Sequence, residues 1–300
     1  MTLKPVLLLM IPAGTIALAV YGYWQGTPDD VVFAVRNRNI AAVKAALARD
    51  PQAVHTKVYP QAYERASARQ EFVSRFGRSP WKGRYVIHDA ITQWIDPLPM
   101  IELLAAAGAD LSVRLNGRTL LHVAAHDGSV EAITWLLDHG ANVNATNTCD
   151  DGCPELGQTP LFDLQNFHDE VTPMLLEHGA DPLVRSANGQ TALHVAAVVG
   201  TIGGAFQLCR YGTDPTIKDG QGRTAQDLAL SADRAGRDTE RRTLFYGPGE
   251  QADWLKPGGG CEMLARRVAT TGAPVGESDA TEVFSAYACA RDTRHCSARK

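Results

Sequence analysis

The chain has 300 residues, a hydrophobic fraction of 45% and a formal net charge of -4. This hydrophobic content supports a folded core and excludes wholesale disorder, and the slightly acidic balance gives no overall basis for nucleic-acid binding. One large domain, two ordinary domains or an array of repeats would all fit this length.

An apolar stretch, "PVLLLMIPAGTIALAVYGYW", occupies residues 5–24, with Lys4 before it and an acidic pair at residues 29–30 after it. This charge asymmetry predicts that Lys4 stays in the cytoplasm and that the rest of the chain crosses the membrane. Residues 1–27 fit a cleaved signal peptide with a small-residue cleavage motif at 17–19, or an uncleaved membrane anchor. Both alternatives predict a periplasmic protein, either soluble or tethered to the inner membrane.

Four similar stretches recur along the chain. The segments "TLLHVAA", "TPLFDLQ", "TALHVAA" and "TAQDLAL" begin at Thr119, Thr159, Thr191 and Thr224, with spacings of 40, 32 and 33 residues. A second motif, Gly-Ala-Asp or a variant of it, recurs between them. A period near 33 residues with two helices per copy predicts a stacked helical array.

Each copy has the local signals of two helices. A Thr hydroxyl caps the first helix, and in the copy from Thr119 the residues Val130, Ile133 and Leu136 place an apolar stripe on the second, which Gly140 ends. Neither helix can bury its apolar face alone, so the copies must stack to form a core.

These motifs resemble those of ankyrin repeats over about two thirds of the chain. The resemblance implies an all-α, ankyrin-like helical solenoid with short hairpin tips over residues 28–234. We expect about six units: an N-terminal cap from Pro28, four units from near Val86, Gly117, Gly157 and Gly189, and a partial closing unit at Gly222. The resemblance also implies that the recurring His88, His122 and His194 bridge neighbouring loops and are not catalytic.

Two insertions interrupt the repeats. Residues 55–84 are rich in Arg, Lys and aromatic residues. They fit either an elongated unit whose aromatic residues pack on the stack or a basic platform for an acidic partner or a membrane surface. Residues 148–156 contain Cys149 and Cys153 around a turn. In an oxidising compartment these predict a local disulfide, with a metal site that includes a neighbouring Asp as the weaker alternative.

The tail, residues 235–300, has no repeat pattern and contains Cys261, Cys289 and Cys296. We expect a small irregular region with short helices at residues 262–269 and 280–292. This region should pack on the last repeat, with Cys261 bonded to one of the two later cysteines. Cys209 falls on an apolar helix face, which predicts a buried thiol.

No catalytic motif occurs in the sequence, so we predict no catalytic residues, no cofactor and no metal. The ankyrin resemblance places the variable positions at the ends of the first helices and at the hairpin tips. The first set, here called the helix-end row, is Trp94 (or Gln93), His126, Asp127, Phe167 (with His168), Val198 and Val199. The second set, the tip cations, is Arg114, Arg118, Arg185, Lys218 and Arg223.

An aromatic and apolar row edged by cations is typical of protein interfaces. We therefore expect a non-enzymatic protein that binds another protein with an acidic surface, contacts the membrane only through an uncleaved N-terminal segment, and binds no nucleic acid. By analogy, an immunity-type inhibitor that occludes a secreted toxin fits this description. The alternative is an envelope redox or oxidative-stress protection factor with reactive cysteines, which requires an accessible thiol of low pKa.

Overall fold

The structure is a computed structural model, and it describes residues 31–58, 84–92, 96–149, 156–164, 170–234, 253–276 and 278–283. The chain divides into an N-terminal body, Met1–Leu115, and a C-terminal body, Asn116–Lys300. Within the described ranges no helix is long and apolar enough to cross a membrane. The predicted signal or anchor segment, residues 1–27, lies outside these ranges, so both of its alternatives stay predictions.

Two helix pairs lie in the described part of the N-terminal body. Repeat 1 comprises α1 (Val31–Arg36) and α2 (Ile40–Arg49), followed by a 3-10 helix, Pro51–His55. Repeat 2 comprises α3 (Val86–Ile91) and α4 (Leu98–Ala106), and strand β1 (Arg114–Leu115) ends this body. First helices pack on each other, α1 on α3, and second helices do likewise, α2 on α4. Fully buried Val35, Ile91, Ile101 and Leu104 fill the space between them.

The two ends of the basic insertion, at residues 56–58 and 84–86, lie side by side. The Val58 amide donates to the Arg84 carbonyl at 2.8 Å, the Val86 amide donates to the Thr56 carbonyl at 3.2 Å, and residues 57 and 85 form an antiparallel bridge. Because its two ends are hydrogen-bonded together, the insertion is an excursion between repeats 1 and 2 that leaves α1 and α3 in direct contact.

The C-terminal body contains the remaining elements. Repeat 3 comprises β2 (Arg118–Thr119), α5 (Leu120–Asp127) and α6 (Val130–Asp138). Repeat 4 comprises a 3-10 helix (Pro160–Phe162) and α7 (Val171–Glu177), and repeat 5 comprises α8 (Ala192–Val199) and α9 (Ile202–Arg210). Beyond repeat 5 lie α10 (Ala225–Arg234) and α11 (Gly260–Thr271), and residues 278–283 are also helical. This all-α, ankyrin-like stacking of helix pairs confirms the predicted fold class.

The two helix rows of the C-terminal body continue into the tail. In the first row α5 contacts the 3-10 helix of repeat 4, which contacts α8, which contacts α10. In the second row α7 contacts α9, and α9 contacts α11. Helix α11 therefore extends the row of second helices, and it covers residues 262–269, where the sequence predicted a short helix in a tail packed on the last repeat. Helix α10, which extends the first row, ends at Arg234, far from α11 in sequence.

The turns between first and second helices depend on glycine in repeats 3 and 5. Gly128 and Gly200 end α5 and α8 with φ of 73° and 85°, in the left-handed region that other residues adopt only at a cost. The chain then reverses its direction within two residues, which places the second helix against the first.

The Cys-containing insertion extends a regular turn. The Asn147 amide donates to the Gln158 carbonyl at 2.7 Å, as the Ser186 amide does to Gln190 at 2.8 Å in the next tip. The bonded residues are eleven positions apart in the first case and four in the second. The seven additional residues equal the difference between the 40-residue spacing and the usual 33, so the insertion lengthens a tip and leaves the helices in register.

Candidate binding surface

Two of the recurring histidines join neighbouring repeats. His122 Nδ1 lies 2.8 Å from the Thr119 hydroxyl, and Nε2 lies 3.0 Å from the Gln158 carbonyl in the next repeat. His194 repeats this arrangement with Thr191, at 2.9 Å, and with the Arg223 carbonyl, at 3.3 Å. Burial lowers the pKa of His194, which favours the neutral imidazole that these bonds need. Both side chains hold the stack together, as expected for a structural role.

His88 differs from the other two. Its Nδ1 accepts from the Tyr85 amide at 3.0 Å, but within the described residues no hydrogen-bond partner meets its buried Nε2. Burial, with a smaller contribution from the positive charge of Arg84, lowers the pKa of His88 to about 4. The imidazole is therefore neutral at physiological pH.

Repeat 4 carries Phe162 where repeats 3 and 5 carry histidine. Without an imidazole at this position, the buried Thr159 hydroxyl has no hydrogen-bond partner in the described part of the chain. The first helix of this repeat is a single 3-10 turn, Pro160–Phe162, and not the α-helix that the repeat pattern predicted. Loss of the side-chain cap removes one source of helix stability at this position.

Three of the predicted tip cations form contacts inside the C-terminal body. Arg118 pairs with Asp163 of the next repeat, and the Arg223 guanidinium pairs with the buried carboxylate of Asp219 at 2.7 Å. Arg185 Nε donates to the Gly189 carbonyl at 3.1 Å, and its Nη2 donates to the Lys218 carbonyl. These guanidinium groups brace the tips, and a role in partner binding stays a prediction for them.

The other two tip cations have different surroundings. Lys218 is exposed, and no internal hydrogen bond or ion pair to another described residue engages its ammonium group. Its positive charge contributes to lowering the pKa of Asp227, whose carboxylate mainly accepts hydrogen bonds from Thr224. Arg114 is half-buried in β1 of the N-terminal body. Lys218 thus differs from the three tip cations that brace the tips, and its role in partner binding stays a prediction.

The helix-end row is accessible where the structure describes it. Val198 is 37% exposed and Val199 is half-buried at the end of α8. At the end of α5, His126 Nδ1 lies 3.1 Å from the Asp127 carboxylate, which raises the pKa of His126 above its ordinary value. Trp94 and Phe167, with their neighbours Gln93 and His168, lie outside the described residues, so their predicted role stays a prediction.

Two acidic residues at an otherwise apolar repeat position went unrecognised in the sequence. Asp163 immediately follows the histidine-equivalent position of repeat 4, where repeats 3 and 5 carry Val123 and Val195. In repeat 2 the same position is Asp89, whose 3% exposed carboxylate accepts from Arg36 Nε at 2.8 Å and also pairs with Arg84. The sequence did contain a signal for them, because an acidic residue replaces the valine of repeats 3 and 5 at this position. Both replacements lie in repeats of unusual length, repeats 2 and 4.

The predicted pairing of the tail cysteines was wrong for Cys261. It forms a disulfide with Cys209, which the sequence suggested was a buried thiol, across a separation of 52 residues. Both residues are completely buried where α11 meets α9, and that contact brings them together. Cys149 is also disulfide-bonded. Cys153, Cys289 and Cys296 lie outside the described residues, so the Cys149–Cys153 bond stays a prediction.

A family model for ankyrin repeats in three copies matches residues 31–147 and 87–185, which together are just over half of the chain. Human 2-5A-dependent ribonuclease is 37% identical over 84 residues, 28% of this chain and 10% of that protein. Mouse B-cell lymphoma 3 protein homolog is 31% identical over 105 residues, 34% of this chain and 22% of that protein.

The E3 ubiquitin-protein ligase KEG of Arabidopsis thaliana is 34% identical over 101 residues, 33% of this chain and 6% of that protein. The chain thus spans less than a quarter of each of these relatives, so the activities in two of their names are not carried to it. Ankyrin repeats are in general non-enzymatic scaffolds for protein–protein interaction. With the family match and the stacked helix pairs in agreement, the chain belongs to the ankyrin-repeat family.

Proposed function

We propose that the chain is a non-enzymatic protein-binding module of the periplasm, and that it recognises its partner through the helix-end row of the C-terminal body. The observation that carries this proposal is the exposure of Val198, at 37%, beside half-buried Val199 on a helix that is fixed by its neighbours. An exposed apolar group on a rigid framework binds with little loss of conformational entropy.

The braced tips support the same proposal. Arg118 and Arg185 each reach into the next repeat, so the surface that they border is held in place before a partner arrives. Lys218 adds an exposed positive charge at the tip that follows repeat 5. An acidic partner would gain mainly in association rate from such a charge.

The cysteine chemistry supports a compartment outside the cytosol. The Cys209–Cys261 disulfide and the disulfide at Cys149 are bonds that persist in oxidising compartments and are rare in the cytosol. The charge pattern around the apolar N-terminal stretch also favours export. The redox alternative needs an accessible thiol, and the three cysteines of the described part are all bonded.

Within this class, we propose an immunity-type inhibitor that occludes a toxin delivered to the same compartment. A preformed binding surface that carries no chemistry of its own suits inhibition by occlusion, in which affinity alone is required. The partner would then be a secreted protein with an acidic surface near its active site.

The test places a photo-crosslinking residue at Val198 in the full-length chain and, as control, at exposed Glu131 on the second helix of repeat 3. We expect an envelope protein to crosslink at Val198 and not at Glu131. With that protein purified, Val198→Asp should weaken binding at least tenfold, Lys218→Glu should slow association, and Glu131→Lys should change neither.

Equal crosslinking from both positions, or unchanged affinity in the folded Val198→Asp variant, would refute the helix-end surface. Immunity is tested separately by producing the purified partner in the periplasm. The wild-type chain should restore growth, and Val198→Asp should not. A partner that is harmless to the cell would rule out the toxin hypothesis and leave the binding surface intact.

A further inference from the structure

Helices α10 and α11 continue the two helix rows beyond repeat 5, but they are distant from each other in sequence. In repeats 3 and 5, two residues separate the first helix from the second, whereas 25 residues separate the end of α10 from the start of α11. A two-residue turn positions the second helix against the first with little loss of conformational entropy. A 25-residue connection leaves far more conformations to be lost when α11 docks.

The docked helix fits closely on repeat 5. Cys261 and Leu264 on α11 are fully buried, and Trp254 just before it is 3% exposed with its ring centroid 6.2 Å from that of Phe206. A Cβ atom on Gly260 would lie only 1.6 Å from the Trp254 ring, so the helix start and the indole occupy adjoining space.

The chain that follows α11 is fixed on the same repeat. The Val275 amide donates to the Arg210 carbonyl at 3.0 Å, and Arg210 Nε donates to the Val275 carbonyl at 2.9 Å. Repeat 5 is therefore contacted on both sides of α11. The contacts converge on the end of α9, where Cys209 lies.

We propose that the Cys209–Cys261 disulfide is a latch that holds α11 on repeat 5 only in an oxidising compartment. The bond tethers α11 directly to α9 and so removes most of the conformations that the 25-residue connection would otherwise allow. Both cysteines are 0% exposed, so a reductant reaches the sulfur atoms only after α11 has moved away. The docked helix protects the bond, and the bond holds the helix.

The chemistry of opening follows ordinary exchange with a dithiol. One thiolate of the dithiol attacks a sulfur of the Cys209–Cys261 bond, and the resulting mixed disulfide is resolved by the second thiol. The dithiol leaves as a disulfide, and its two electrons and two protons remain on the protein as two thiols. In the reduced chain α11 is released, and the face of α9 that it covered is exposed.

One experiment removes the latch from the full-length chain. In the double variant Cys209→Ala, Cys261→Ala, hydrogen exchange should show at least a tenfold loss of amide protection in α11. Protection in α5 and α6 should stay at the wild-type level, which serves as the internal control. Unchanged protection of α11 would overturn the proposal, because packing alone would then hold the helix.

A second experiment keeps both cysteines and measures how fast dithiothreitol reduces this bond in the folded, oxidised protein. Leu264→Ala weakens the buried contact, whereas Met263→Ala changes a neighbour on α11 that is 38% exposed. We expect reduction to be at least tenfold faster with Leu264→Ala and unchanged with Met263→Ala. Equal rates in all three proteins would show that docking does not protect the bond and would refute the latch. This result decides the matter if the double variant fails to fold.

Discussion

The imidazole of His122 joins repeat 3 to repeat 4 by donating from Nε2 to the backbone carbonyl of Gln158 at 3.0 Å. The direction of this bond follows from the other ring nitrogen. Nδ1 accepts from the Thr119 amide at 3.2 Å, so the proton resides on Nε2. A single side chain thus caps its own helix and satisfies a carbonyl group of the neighbouring repeat, which couples the stability of the two repeats.

Replacing His122 by Ala should lower the free energy of unfolding of the C-terminal body by about 2 kcal/mol, because a helix cap and an inter-repeat hydrogen bond are lost together. Urea denaturation followed by circular dichroism measures the change. Asp138→Ala, at an exposed position in the same repeat, is the control and should cost less than about 0.5 kcal/mol. Equal costs at the two positions would contradict the bridging role.

His88 predicts an acid-sensitive N-terminal body. Because its pKa is about 4 in the folded state and 6.5 in the unfolded chain, acidification protonates the unfolded chain first. The stability from the neutral imidazole is fully present above pH 6.5 and is lost as the pH falls toward 4, by up to about 3 kcal/mol. Denaturation at several pH values measures this loss. The loss of stability on acidification should be smaller by that amount in His88→Asn. Parallel pH profiles for the wild-type protein and the variant would contradict the lowered pKa of His88.

The ion pair between Arg118 and Asp163 should stabilise the contact between repeats 3 and 4. A double-mutant cycle with Arg118→Gln and Asp163→Asn should give a coupling energy of about 1 kcal/mol, because the Asp163 side chain is only 9% exposed. The same cycle on Arg266 and Glu262 of α11, with Arg266 75% exposed, should give a clearly smaller coupling energy, because solvent screens an exposed pair. A coupling near zero for the first pair would mean that Arg118 does not brace the tip.

Gly260 should tolerate no side chain. Gly260→Ala places a methyl group in the space of the Trp254 ring, and we expect a loss of about 2 kcal/mol in the free energy of unfolding from the resulting overpacking. Gly276→Ala is the matched control, because no atom lies within 4 Å of its added methyl group. Guanidinium denaturation of both variants makes the comparison, and an unaffected Gly260→Ala would show that the indole can move aside.

The local chemistry of the repeats was readable from the sequence. Thr119 and Thr191 predicted the starts of helices, and Gly128 and Gly200 lie at helix ends. The 33-residue spacing indicated stacked helix pairs. These signals are local because capping and turn conformation depend on a few consecutive residues. The same reasoning explains why the Cys-containing insertion could be assigned to a tip.

Only the tertiary structure decided what the side chains meet across repeats. No pattern in the tail points from Cys261 back to Cys209, because their proximity results from the docking of α11 on a helix about 50 residues earlier in the chain. The sequence likewise indicated that Arg118 is a surface cation, and only the stacking of repeats 3 and 4 brings Asp163 beside it. Spacing along the chain determined the repeats, whereas the contacts that fix the last repeat and brace the tips depend on the packing of one helix pair against the next.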